Sequence, residues 1–129
     1  MSAARSNYRT WLAKAEHDLL NIANNLKAPA IPWDTVCFHA QQAAEKFLKA
    51  FLVFHARPPV PTHDLVALLA ACVQINPSLA TRQQDCQKLS YYAVAARYPS
   101  DLYEPAETDA RQMIEAAQRI RSNVLACLP

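Results

Sequence analysis

The chain of 129 residues contains no glycine, against nine prolines. Loops that cradle phosphate, of the G-x-x-x-x-G-K or G-x-G-x-x-G kind, need glycine so that the backbone can approach the ligand closely. Walker-type and Rossmann-type sites are therefore excluded. Tight primed β-hairpins, which need positive φ at their central residues, are disfavoured for the same reason. An all-α fold punctuated by proline is what remains. A chain of 129 residues fits one domain, in which roughly two-thirds of the unfolded surface can be buried without a disulfide or metal.

Paired cysteine spacing is also missing. The four cysteines stand at 37, 72, 86 and 127 with no C-x-x-C, so neither a zinc site nor a disulfide framework is suggested, and no metal or other cofactor is expected. Isolated cysteines at apolar positions are the small core residues of a reducing cytosol. No uncharged stretch is long enough to span a bilayer, and Arg5, Asn7, Arg9, Lys14 and Glu16 interrupt any leader-like run. The expectation is a soluble cytoplasmic protein without a membrane contact. A net charge of +2 is too small to serve as a nucleic-acid footprint, so any such binding must come from a local patch.

What is present is helical periodicity. Tyr8, Trp11, Leu12, Ala15, Leu19, Ile22, Ala23 and Leu26 fall on one arc of a helical wheel, opposite Arg9, Lys14, Asp18 and Asn21. This first helix should end near Asn24 and Asn25, which tolerate a left-handed cap. A second helix is expected from an N-cap at Asp34 to about His55, stopped by Pro58, Pro59 and Pro61. A third starts at Thr62 or His63, turns Leu65, Leu68, Leu69, Cys72 and Ile75 inward, and stops at Asn76-Pro77. A fourth runs from about Leu79 to Ala96, with Cys86, Leu89, Ala93 and Ala96 inward, because Pro99 pushes Tyr98 out of helical geometry. The last carries Ala110, Met113, Ile114, Ala117, Ile120 and Val124 on one face. The fold read from this pattern is a single up-and-down bundle of about five helices.

The second helix has apolar residues on nearly every side. Val36, Ala40, Ala43, Ala44, Phe47, Leu48, Phe51 and Phe54 form one wide core arc, while His39, Gln42, Lys46 and Lys49 form a polar strip at spacings of three, four and three. Phe38, Leu52 and Val53 flank that strip, a mixture suited to a partner helix or a stacked base and assigned here to an interface. Against this stands a plain solvated face with an exposed Glu45–Lys49 pair. Arg57 and His63, in the proline-rich loop RPPVPTH, can together hold a phosphate or shuttle a proton; alternatively His63 and Asp64 cap the third helix. In SYYAVAARYPSDLYEP, Tyr91, Tyr92, Arg97, Tyr98, Asp101 and Tyr103 gather at a helix end, where arginine near tyrosines can bind phosphate and stack a base. Surface-packed tyrosines would account for the same residues.

Three blocks, CFHAQQAAEKFLKAFL, PTHDL and YYAVAARYPSDLYEP, together with Trp11, Ala15, Asp18 and Leu19, resemble the HEPN domain family in order and spacing over nearly the whole chain. The resemblance implies a bundle of about five helices that forms homodimers with a ligand cleft between protomers. It also implies a small nucleotidyltransferase partner in a prokaryotic toxin–antitoxin-like system, and a nucleotide or RNA ligand. Active members are metal-independent ribonucleases with an R-x(4-6)-H motif late in the domain. Here Arg97 is followed by Tyr98, Pro99, Ser100, Asp101 and Leu102, and no histidine occurs beyond His63. Arg57 and His63 have the spacing at another place. The chain thus resembles the non-nuclease branch, with His39, Gln42, Lys46, His63, Arg97, Tyr98 and Tyr103 as candidate nucleotide-binding residues. Arg57, His63 and Arg97 are the weaker catalytic candidates of the ribonuclease alternative. A purely structural dimeric module is the third possibility.

Overall fold

The computed structural model describes residues 7–58, 60–95 and 105–129, the side chains of 92–95 excepted. Among these residues the chain forms five α-helices and no strand: α1 (Tyr8–Leu26), α2 (Trp33–Phe54), α3 (Leu65–Ile75), α4 (Gln83–Ala95) and α5 (Glu107–Ala126). A 3-10 segment, Pro77–Arg82, leads into α4. None of the described helices is long and apolar enough to cross a membrane.

The all-round apolarity of α2 has a direct cause: α2 is the central helix and packs against all four other α-helices. A helix covered on every side has no water-facing stripe to keep polar. Phe47, Leu48, Phe51 and Leu52 are essentially solvent-free, and Val53 is buried as well. Leu52 and Val53 are therefore not the flanks of an interface; the chain's own helices cover them. Phe38 does stand out, 47% exposed. Of the expected core arc, Val36, Ala40, Ala43, Ala44, Phe47, Leu48 and Phe51 are buried, while Phe54 is partly covered and meets Tyr8 edge-on at 5.0 Å. That contact joins the start of α1 to the end of α2, so the two run antiparallel. Truncating a ring such as Phe47 to alanine would cost about 3–5 kcal/mol in lost transfer energy and cavity formation.

Helix ends differ from expectation in informative ways. The chain leaves α1 through Lys27 in right-handed geometry, not through a left-handed Asn24 or Asn25. Among the described residues the positive φ of a non-glycine residue is found at Ala56, φ 57°. There the Arg57 amide donates to the Leu52 carbonyl at 2.9 Å and the Ala56 amide to the Val53 carbonyl at 3.0 Å, the paired bonds of a Schellman ending. Alanine thus occupies a position that usually takes glycine. Asp34 lies inside the first turn of α2, where it accepts from the Thr35 amide at 2.8 Å, and Pro32 is the N-cap. The N-cap of α3 is Asp64, accepting from the Val66 and Ala67 amides, so the helix starts at Leu65 rather than at Thr62 or His63. Asn76 ends α3 and its side chain accepts from the Ser78 amide, starting the 3-10 segment that replaces the first turn of the expected fourth helix.

The described core gathers Ala15 and Ile22 from α1, Leu65, Leu68, Leu69 and Cys72 from α3, Leu79, Cys86 and Leu89 from the next two elements, and Ala110, Met113, Ala116, Ala117, Ile120 and Val124 from α5. Ile75 and Ile114 pack partly buried against it, whereas Ala23 is exposed. The expected inward positions Ala93 and Ala96 lie outside the described side chains. Trp11 is not part of this core; it sits partly buried on α1. Away from α2, Asp85 is nearly buried and accepts from Arg119 through Nε at 3.0 Å and Nη2 at 2.8 Å, and from Arg82 Nη1 at 2.9 Å. This bidentate pairing fastens α5 to α4 and raises the Arg119 pKa further.

Candidate functional site

The polar strip of α2 is present, and two carboxylates organise it. Asp18 of α1 accepts from His39 Nδ1 at 2.8 Å through one oxygen and from Lys46 Nζ at 2.7 Å through the other. Glu45 of α2 accepts from His63 Nδ1 at 2.9 Å and from Lys49 Nζ at 3.1 Å in the same divided manner. Each carboxylate is almost buried, at 7% for Asp18 and 3% for Glu45, and each holds one imidazole and one ammonium. A carboxylate only accepts, so Nδ1 carries the proton in both imidazoles and Nε2 is left as the second nitrogen for a ligand.

Local sequence explains the arrangement. His39, Gln42, Lys46 and Lys49 recur every three or four residues and share one flank of α2. Asp18 reaches that flank because α1 runs antiparallel beside α2. His63 sits in the loop before α3, close to α2 through a bond from Gln41 Nε2 to the His63 carbonyl at 3.2 Å. Gln41 is buried and accepts from Gln42 Nε2 at 2.7 Å, so the amides of both glutamines belong to the cluster. The side chain of His63 is 60% exposed, which makes it the most accessible of the four nitrogen donors. Its side chain is not a cap: the first amides of α3 donate to Asp64 and, at Leu65, to the Ser90 hydroxyl.

Lys49 is a buried ammonium, held between Glu45 and the ring of Trp11, whose centroid is 5.5 Å away. The exposed Glu45–Lys49 pair expected of a solvated face is therefore a covered one, because α1 and the loop before α3 close over it. A buried charge left without its partner is costly, commonly about 3–5 kcal/mol, so the pair is needed as a pair. Phe38 stands next to His39, ring centroids 5.3 Å apart.

His39, Gln42, Lys46 and His63 are thus brought together. Arg57 is exposed on the turn after α2, and Tyr91 is exposed on α4. Arg97, Tyr98, Asp101 and Tyr103 lie outside the described residues, as does the side chain of Tyr92. Wheel reasoning missed Asp18, Gln41 and Glu45, treating Asp18 as a polar outer position. A signal was available: Glu45 and Gln41 interrupt an otherwise apolar arc beside Ala44 and Leu48, and buried polar residues require partners.

Among the described residues no group of three or more His, Cys, Asp or Glu could hold a metal ion. Burial pushes the thiols of Cys37, Cys72 and Cys86 up to about 12 each, and nearby acidic groups add to this at Cys37 and Cys86. Those sulfurs stay protonated and packed, with no nucleophilic part to play.

Fold and cluster together define a small helical domain built around one buried central helix, with a polar face between its first two helices. The HEPN domain family matches residues 8–126, and the chain belongs to that family. Its structure is similar to the crystal structure of the protein TT1696 from Thermus thermophilus, with a TM-score of 0.76 and 27% sequence identity over 95% of this chain and 98% of that one. No curated protein matches the sequence.

Proposed function

We propose that this HEPN domain binds a nucleotide or RNA on its α1–α2 face and is the non-nuclease component of a prokaryotic pair with a nucleotidyltransferase. The observation that supports this is the pair of nearly buried carboxylates, Asp18 and Glu45, which hold His39, Lys46 and His63 with side chains partly or largely exposed, and Lys49 buried. Desolvating such charges costs free energy, and a solvated helix surface has no use for them. A phosphate-bearing ligand matches the donors gathered there, His39, Gln42, Lys46 and His63. Arg97, Tyr98 and Tyr103 remain part of the proposal through the sequence alone. A second copy docked on the exposed Phe38, beside His39, would complete a cleft in this proposal.

Titrating fluorescein-labelled single-stranded RNA, ATP and GTP against wild type, Lys46→Ala and Arg97→Ala tests the reading. Weaker binding by the variants is expected, with a salt slope reduced by about one for each lost phosphate contact. Identical affinities for all three proteins would exclude this face. Co-purification of a nucleotidyltransferase with the expressed chain tests the partner.

A second reading, a metal-independent ribonuclease, draws on His63. Its Nδ1 is oriented by Glu45 and its side chain is accessible, as a general base requires, and Arg57 lies on the same loop. Purified wild type that leaves RNA intact without a partner would exclude that reading in its simple form.

A further inference from the structure

Trp11 is partly buried without joining the core, and besides covering Lys49 it borders a groove. The N-cap Asn7 and three α1 residues, Thr10, Trp11 and Lys14, line a groove of about 420 Å³ at helical spacing. That volume lies within the range of small-ligand sites, roughly 300–1,000 Å³. Lys49 Nζ is 5.5 Å from the centre of the indole, and the same ammonium is bound to Glu45, which also holds His63. Through that buried ammonium the indole adjoins the Glu45–His63 pair. Asp18, with His39 and Lys46 attached, follows Lys14 by four residues on the same flank of α1.

We infer that Trp11 is a nucleobase-stacking subsite for the nucleotide bound by the α1–α2 cluster, an inference that rests on the proposed function. The indole gives a planar π surface at a groove whose lining includes the cationic Lys14, and Lys49 and Lys46 follow along the adjoining flank of α2. A ligand that joins a flat aromatic ring to an anion uses both features. A bare anion makes no use of the indole's π surface, and an apolar helix of a second copy meets the exposed ammonium of Lys14. Stacking on aromatic side chains accepts any base, because every base has a π face.

The test uses AMP and ribose 5-phosphate, which share a phosphate and sugar but differ in the base. Calorimetric titration of both against wild type, Trp11→Phe and Trp11→Leu separates stacking from phosphate binding. AMP should bind Trp11→Leu about tenfold or more weakly, with Trp11→Phe between, while ribose 5-phosphate binds all three alike. Since the chain has two tryptophans, a Trp33→Phe background lets emission report Trp11 alone, and AMP should quench it. Equal AMP affinity in Trp11→Leu, or unaltered Trp11 emission at saturating AMP, overturns the subsite. If Lys46→Ala and His63→Ala nevertheless weaken AMP, the proposed function stands without it. Emission that changes with protein concentration in the absence of AMP would assign the groove to a second copy and also overturn the subsite. Wild type that binds neither AMP nor RNA overturns both readings.

Discussion

Nδ1 of His63 lies 2.9 Å from Oε1 of Glu45, a bond that reaches across 18 residues from the loop before α3 to the middle of the central helix. The other oxygen of Glu45 holds the buried ammonium of Lys49. Glu45→Ala removes both bonds and leaves Lys49 charged and covered, so a loss of about 3–5 kcal/mol in unfolding free energy is expected, with a smaller loss for Glu45→Gln. Urea unfolding checks it. A loss within the range of an exposed ion pair, under about 1 kcal/mol, would mean that α1 does not close over this pair.

Asp18 sets stability and ligand affinity in opposition. Its carboxylate accepts from His39 and neutralises Lys46, so Asp18→Asn should lower the unfolding free energy by about 1–3 kcal/mol. The same change releases positive charge toward the surface and should tighten the binding of an anionic ligand. Parallel denaturation and RNA titrations at one salt concentration measure the two effects. Weaker RNA binding by this variant would show that Asp18 is needed to position the donors.

Ala56 has a left-handed backbone at the end of α2, which costs an L-residue with a Cβ roughly 1–2 kcal/mol. Ala56→Gly removes that strain while adding freedom to the unfolded chain, and a net gain of about 0.5–1 kcal/mol is expected. The residue is exposed, so no packing is lost. A higher denaturation midpoint at unchanged slope would confirm it.

The thiols should fall into two classes. Cys37, Cys72 and Cys86 are buried with values pushed up to about 12, whereas Cys127 is partly exposed. Native protein at pH 8 should therefore expose one reactive thiol to a disulfide reagent, and four after unfolding. The three raised values also make stability depend on pH. Unfolded thiols ionise near 9.0, below the folded value of about 12, so unfolding releases protons between those limits. Their contribution is complete below pH 9 and is lost as pH rises toward 12. Urea midpoints at pH 8 and 10.5 should show the decline, and it should shrink in Cys86→Ala.

Phe38 distinguishes a dimer from a solitary domain. Being 47% exposed, it can be replaced by aspartate with little effect on the fold, within about 0.5 kcal/mol. At an interface the same change buries an unpaired charge, and Phe38→Asp should yield monomers in sedimentation. A wild-type dimer that persists in the variant would move the interface to another face.

Much of the architecture was legible in the sequence because helical periodicity is local. The apolar arc of α2, the inward Leu65, Leu68, Leu69 and Cys72 of α3, and the proline stops could all be placed before any contact was known. The candidate site was half legible. His39, Gln42 and Lys46 share a helix flank by spacing alone, and His63 stood out beside a helix start. Their partners did so less: Glu45 interrupts an apolar arc, but Asp18 looks like a surface residue until one knows which helix lies over it. Leu52 and Val53 failed for the same reason, as one helical wheel cannot tell a face covered by another protomer from one covered by the chain's own helices.

The absence of glycine, the spacing of apolar residues and the placement of proline determined by themselves an all-α bundle without phosphate-binding loops, and their order along the chain pointed to the HEPN family. Those are properties of short segments, settled by backbone sterics and by periods of three and four residues. Which helix becomes central was decided by the tertiary structure, as was the pairing of each carboxylate with one histidine and one lysine. Both depend on contacts between residues far apart in the chain, and burial, which turns an ordinary surface charge into an obligatory partner, exists only once the helices have packed.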